Sequence, residues 1–170
     1  LNGRLYTGTN DMAGEVGHIR LSETGPVGYG KSGSFEGYCS GGGIARLAKD
    51  VALKKLKSGV IPSFCPDEAH LDSITAKSVA LAAAQGDETA VEVYNICGEN
   101  LGRGLAVIVD ILNPEAIVIG SIYERSSALL KEKMSEKLHE EALSQAAGVC
   151  RILPAQLGDS IGDYAALGVA

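Results

Sequence analysis

The longest apolar pattern in the chain lies between positions 87 and 113. Its apolar residues recur every three or four positions, which predicts one face of a helix rather than a strand. These residues are Tyr94, Cys97, Leu101, Leu105, Ile108 and Leu112. Asn113 and Pro114 predict the end of the helix, because proline cannot continue it. Gly98, Gly102 and Gly104 each cost about 1 kcal/mol relative to alanine, so we expect close packing against another backbone.

Shorter patterns on both sides predict helices alternating with strands. The predicted helices cover 44–59, 74–86 and 126–143, and a last one begins in "DYAALGVA" at 163–170. The predicted strands are "EAIVIG" at 115–120 and "CRIL" at 150–153. Residues 1–37 are rich in glycine and predict loops and short strands. This alternation predicts an α/β architecture.

Composition narrows the possible partners. The net charge is −6 with no basic cluster, which argues against nucleic acid and anionic membranes as direct partners of this chain. The four cysteines form no C-x-x-C pair, so the spacing indicates neither a zinc knuckle nor a redox pair. Scattered cysteines, and the lack of an apolar run that could span a bilayer, lead us to expect a cytoplasmic protein.

One stretch matches a nucleotide-binding pattern. "GPVGYGKS" at 25–32 fits G-x-x-x-x-G-K-[ST], and "LAVIVD" at 105–110 could supply the aspartate of a phosphate-loop hydrolase. A phosphate loop requires a strand before its first glycine and a helix that opens at its lysine. Here "SET" precedes Gly25, and "GSFEG" after Ser32 is a poor helix start. The apolar residues of "LAVIVD" continue the helical face of Tyr94 and Leu101, so Asp110 should lie on a helix and not at a strand tip. We therefore expect a surface glycine loop instead of a phosphate loop.

A different motif carries more information. "AGEVGHI" at 13–19 resembles the A-G-E-x-G-H stretch of the ROK family of repressors, uncharacterised reading frames and sugar kinases. "FEGYCSGGGIARLAK", "NLGRGLAVIVDILNPEAIVIGS" and "LPAQLGDSIGDYAALGVA" are similar to later segments of that family, in the same order. The resemblance therefore extends over most of the 170 residues.

The resemblance also explains the glycine-rich stretch. In the family a zinc-binding segment, C-x-C-G-x-x-G-C-x-E, follows the A-G-E-x-G-H stretch. When it is aligned on Glu36, its three cysteines are replaced by Val27, Tyr29 and Ser34. Only His18 would remain of four ligands, and structural zinc requires four nitrogen or sulfur ligands. We therefore expect no structural zinc.

The family likeness implies a fold of two ribonuclease-H-like lobes around an actin/hexokinase-type cleft. Residues 1–170 would form most of the C-terminal lobe, beginning within a strand hairpin. The N-terminal lobe, with the phosphate loops and the catalytic aspartate, would lie before residue 1, so this chain alone should be inactive. The intact protein would be a homodimer that uses ATP and Mg²⁺ to phosphorylate a glucose-, fructose- or N-acetylhexosamine-type sugar. The alternative is the sugar-sensing domain of a repressor, and a phosphate-loop hydrolase is the third possibility.

The resemblance assigns substrate contacts to Glu15, His18 and Glu36, which have the right polar groups for hexose hydroxyls. Each has another interpretation from the residues alone. Glu15 could be a solvated loop carboxylate, His18 a structural histidine, and Glu36 a helix-start charge. Gly120 and Ser121 would contact the nucleotide, where Gly120 allows close backbone approach and Ser121 replaces the family's second glycine. A plain strand-to-helix turn also explains Gly120.

Overall fold

The computed structural model describes residues 3–156, which contain six α-helices and four short strands. The helices are α1 (Phe35–Cys39), α2 (Gly41–Lys57), α3 (Ala76–Ala84), α4 (Glu88–Leu112), α5 (Ile122–Glu141) and α6 (Ser144–Ala147). The strands are β1 (Val27–Gly28), β2 (Lys31–Ser32), β3 (Ala116–Ile119) and β4 (Arg151–Pro154). Two 3₁₀ turns span Val16–His18 and Glu68–Ser73. Mixed helix and strand is thus confirmed for these residues.

Helix α4 is the centre of the core, and α1, α2, α3 and α5 pack around it. The helix predicted from the apolar spacing is confirmed, and Asn113 ends it in the left-handed conformation with φ 42°. The predicted close packing is also confirmed. A Cβ on Gly98 would lie 3.0 Å from the Leu130 carbonyl oxygen of α5. A Cβ on Gly102 would lie 2.5 Å from the Met134 carbonyl oxygen of the same helix. Gly104 lies against the Phe35 ring.

The two longer strands form a parallel pair. Ile117 of β3 is opposite Ile152 of β4, and helices α5 and α6 form the connection between the strands. Such a crossover is the usual way to join parallel neighbours. Both strands were predicted from their apolar runs, and both are confirmed. Ile117, Ile119 and Ile152 pack against the helical core.

One helix was not predicted, and the helix after it begins earlier than predicted. The helix expected from Ile44 begins at Gly41, and the separate helix α1 precedes it. Ser34 and Ser40 each accept a hydrogen bond from a backbone N–H three residues on, so each begins a helix. Because glycine has a poor helix propensity, the sequence did not predict that the helix begins at Gly41.

Helix α5 also begins earlier than predicted, at Ile122 instead of position 126. Ser126 lies inside it with non-helical angles, φ −129° and ψ 22°, and produces a kink. The kink interrupts the apolar spacing, so the pattern indicated only the part after it. The Ser126 hydroxyl lies 3.4 Å from the Tyr94 hydroxyl of α4.

The described start of the chain differs from the expectation. Residues 3–15 contain no strand, although we expected the chain to begin within a strand hairpin. Leu5 is 90% exposed and Tyr6 is 64% exposed, and residues 3–156 supply no neighbouring strand for this segment. The helix predicted in "DYAALGVA" lies outside the described residues. Among the described helices, none combines the length and apolarity that crossing a bilayer requires.

Candidate functional site

The 3₁₀ turn Val16–His18 lies directly against the start of helix α1. A Cβ on Gly17 would lie 3.3 Å from the Glu36 Cβ, so only glycine allows this approach without displacement. The backbone N–H of Phe35 also donates to the Ile19 carbonyl oxygen at 2.8 Å. Glu15 immediately precedes this turn and His18 is its last residue, so both lie next in sequence to a segment that contacts the helix start carrying Glu36. The backbone segments that carry these three predicted residues are therefore adjacent.

All three side chains of this group are exposed to solvent. Within residues 3–156, neither Glu15 nor Glu36 forms an ion pair. Glu36 lies in the first turn of α1, where a negative charge is favoured by the helix dipole. The carboxylates are thus available as hydrogen-bond acceptors, and an imidazole can donate or accept beside them.

The stretch at 25–32 is a β-hairpin. Strands β1 and β2 pair antiparallel, with Val27 opposite Ser32 and Gly28 opposite Lys31. The two residues between them, Tyr29 and Gly30, have φ values of 45° and 76°, as both central residues of a type I′ turn require. No helix begins at Lys31, which confirms the prediction that this stretch is not a phosphate loop. We expected a surface glycine loop here, and the structure shows a paired β-hairpin instead.

Lys31 has a structural partner that a phosphate-loop lysine would lack. Its ammonium donates to the His18 carbonyl oxygen at 2.7 Å. Asp110, the aspartate of "LAVIVD", lies on α4 and accepts a hydrogen bond from the Leu143 N–H at 2.9 Å. Neither residue is placed at the tip of a strand beside a helix N-terminus, as phosphate binding requires.

We therefore predict that Lys31→Ala in the intact protein leaves the affinity for ATP within about twofold of the wild type, because no phosphate contact is lost. A phosphate-loop lysine would instead contribute a charged hydrogen bond, and its loss would weaken binding by about tenfold or more. Titration of ATP into both proteins by calorimetry distinguishes the two outcomes.

Hydrogen bonds fasten the hairpin to helix α1. The Ser34 hydroxyl is fully buried, donates to the Gly28 carbonyl oxygen at 3.3 Å and accepts from the Gly37 N–H at 3.1 Å. A Cβ on Gly28 would collide with the Gly37 nitrogen, so glycine is required there. The hairpin is therefore held against the start of α1, which the turn Val16–His18 also contacts.

The residues at this loop do not suit the zinc ion of the family motif. Val27, Tyr29 and Ser34 supply no thiolate, and across residues 3–156 no three His, Cys, Asp or Glu side chains converge on a point. The His18 ring instead has the Tyr29 ring as its neighbour, with centroids 6.1 Å apart and planes at 80°. A single imidazole cannot hold structural zinc.

The predicted nucleotide residues lie at the turn from β3 to α5. Gly120 and Ser121 line a cavity of about 300 Å³ that also contains Cys39 and Cys97. Burial raises the pKa of Cys97 to about 12 and raises that of Cys39, so both thiols are protonated at neutral pH. This makes them packing groups rather than nucleophiles.

A larger groove of about 920 Å³ adjoins this cavity, and Gly41 and Ile122 line both. It lies between α2, α3 and α5, and its walls are mostly small or apolar. Its size and lining are typical of pockets for small molecules and cofactors. The groove was not predicted from the sequence, although Ala76, Ala80 and Ala84 recur every four positions and mark one small-residue face of α3.

Ser121 has a backbone conformation that normally requires glycine. Its φ is 56° and its ψ is −116°, outside the usual regions for L residues. We predict that Ser121→Gly relieves about 1–3 kcal/mol of strain, reduced by up to about 1 kcal/mol by the greater backbone entropy of glycine in the unfolded chain. Urea unfolding of the intact protein should show a net stabilisation of about 1 kcal/mol. Ser121→Ala, the control, should give none, and a less stable Ser121→Gly protein would contradict the strained turn.

The described residues form a mixed helix-and-strand fold, with Glu15, His18 and Glu36 near the start of α1 and an apolar groove beside α3. The model of the ROK family matches residues 1–170, so the chain belongs to the ROK family. The chain is 32% identical to a glucokinase of Halalkalibacterium halodurans over 95% of this chain and 48% of that protein. It is 32% identical to the DNA-binding transcriptional dual regulator NagC of Escherichia coli over 76% of this chain and 30% of that protein.

Solved structures agree with this membership. A ROK family glucokinase from Streptomyces griseus, in complex with glucose and AMPPNP, superposes with a TM-score of 0.80 at 27% identity. That superposition covers 98% of this chain and 54% of that protein. The chain thus spans about half the length of the glucokinases it matches, and a smaller part of the repressors.

Proposed function

We propose that this chain is the C-terminal, ribonuclease-H-like lobe of an actin/hexokinase-type sugar kinase, and that Glu15, His18 and Glu36 contact a hexose. The observation that supports the proposal is the close approach of Gly17 to Glu36, because Glu15 and His18 lie within two residues of Gly17 in the chain. The ROK glucokinases that match the chain support it. A homodimer in the cytoplasm belongs to the same proposal.

The chemistry of the group suits a sugar. Two exposed carboxylates can each accept hydrogen bonds from hydroxyl groups, and the imidazole of His18 can donate or accept. A pocket that hydrogen-bonds substrate hydroxyls rejects analogues that lack them, because its own polar groups are then left unpaired. The three residues would therefore select for hydroxyl positions on the sugar ring.

The groove between α2, α3 and α5, together with Gly120 and Ser121, is the proposed adenosine side of the site. Its apolar walls fit a planar base, and Gly120 permits close approach of the backbone. Bound ATP and Mg²⁺ would supply the phosphoryl group and offset its charge. This chain's own residues would bind and orient the sugar and part of the nucleotide. The catalytic base would come from another part of the intact protein.

The second candidate function is sugar sensing in a transcriptional repressor. The similarity to NagC and the superposition on a ROK transcriptional regulator, with a TM-score of 0.72 at 26% identity, favour it. The net charge of −6 makes this lobe a poor surface for DNA, so a sensor would need another segment for that contact. Both functions use the same sugar-binding residues.

One experiment separates the two. The intact protein is incubated with ATP and with D-glucose, D-fructose or N-acetyl-D-glucosamine, and the sugar phosphate and ADP are measured together. A kinase forms both products in equal amounts. Sugar binding by calorimetry without any product would favour the sensor, and neither binding nor product would reject both functions.

A further inference from the structure

Tyr29 occupies a position that the fold gives no reason to fill with tyrosine. It is the first central residue of the β1–β2 turn with φ 45°, where asparagine, aspartate or glycine is favoured. A bulky residue with positive φ is under strain. Tyr29 is also 88% exposed, so burial of its ring does not offset this cost. Backbone strain of this kind concentrates at functional sites.

The contact that Tyr29 does make is with His18. The edge-to-face arrangement, with ring planes at 80°, is one that aromatic pairs prefer. Lys31, two positions along the same hairpin, donates to the His18 carbonyl oxygen at 2.7 Å. One hairpin therefore holds His18 twice, at its ring and at its backbone.

We propose that Tyr29 and Lys31 are positioning residues that hold the His18 imidazole in the orientation in which it binds sugar. This inference rests on the proposed role of His18. An exposed imidazole has two free side-chain torsions, and fixing them when the ligand arrives weakens binding. A ring already limited by Tyr29, on a backbone held by Lys31, loses less freedom when the sugar binds.

The test compares four variants of the intact protein, with D-glucose and N-acetyl-D-glucosamine as calorimetric probes. Tyr29→Asn suits the turn but removes the ring, and Lys31→Met removes the ammonium. Each should weaken sugar binding by about 3- to 10-fold. Tyr29→Phe keeps the aromatic ring and Lys31→Arg keeps a charged donor. Each should therefore bind sugar within about twofold of the wild type. Tyr29→Asn should unfold at the same or a higher urea concentration, since asparagine is favoured in this turn.

A spectroscopic measurement checks the same inference without sugar. The ¹H and ¹³C resonances of the His18 ring carbon between its nitrogens report the ring current of Tyr29. They should move in Tyr29→Asn and stay near the wild-type position in Tyr29→Phe. Unmoved resonances in Tyr29→Asn would overturn the inference. So would full sugar affinity in Tyr29→Asn alongside lost affinity in His18→Ala. If His18→Ala itself keeps full affinity, the proposed sugar site fails, and the resonances still decide whether Tyr29 positions the ring.

Discussion

Replacing Gly102 by alanine is expected to lower the free energy of unfolding of the intact protein by about 1–3 kcal/mol, the usual cost of overpacking a core. The added Cβ would lie 2.5 Å from the Met134 carbonyl oxygen, 2.8 Å from the Lys137 Cβ and 2.9 Å from the Leu138 nitrogen. Two of these are backbone atoms of α5, so one helix must shift. The gain in helix propensity, about 1 kcal/mol, offsets only part of this cost.

Gly42→Ala is the matched control for this substitution. Gly42 is also helical, but it is exposed, and an added Cβ would meet only the end of the Arg46 side chain at 3.4 Å. We expect it to change the free energy of unfolding by no more than about 1 kcal/mol, in the stabilising direction. Urea unfolding measures both. Equal stability of Gly102→Ala and the wild type would mean that α4 and α5 are further apart than the structure places them.

The other large effect is expected at the sugar group. Glu15→Gln, His18→Ala and Glu36→Gln should each weaken hexose binding by about 1–3 kcal/mol, or roughly 5- to 150-fold. The physical reason is that each substitution leaves a sugar hydroxyl with a missing or weaker partner after water has been removed from the contact. If the intact protein is a kinase, its turnover of the sugar should fall as well. Calorimetry with D-glucose and N-acetyl-D-glucosamine gives the affinities.

Glu68→Gln serves as the control for Glu36→Gln. Glu68 is likewise an exposed glutamate in the first turn of a helical segment, but it lies in the loop between α2 and α3. If Glu36 is only a helix-start charge, both variants will change stability by less than about 1 kcal/mol and leave sugar affinity unaltered. Wild-type affinity in all three site variants would show that the assignment of Glu15, His18 and Glu36 is wrong.

The helical core could be predicted because its signals are local and periodic. The spacing from Tyr94 to Leu112 indicated α4, and the cost of glycine inside a helix indicated a close neighbour at Gly98 and Gly102. The apolar runs also indicated β3 and β4. In each case the residues that specify the element lie within the element itself.

The remaining features depend on contacts distant in sequence. The hairpin at 27–32 contains only two paired positions, too few for an alternating pattern, and its turn carries a tyrosine where the usual signal is asparagine or glycine. The kink at Ser126 obscured the first turn of α5. The groove between α2, α3 and α5 exists only once those helices pack together. The resemblance supplied Glu15, His18 and Glu36, and the structure alone supplied the contact of Tyr29 with His18.

The most direct measurement is a crystal structure of the intact protein grown with D-glucose or N-acetyl-D-glucosamine. We expect hydroxyl groups of the bound sugar to lie within hydrogen-bond distance of Glu15, His18 and Glu36, with the Tyr29 ring still edge-on to His18. A sugar bound elsewhere, with these three side chains in contact only with solvent, would contradict it.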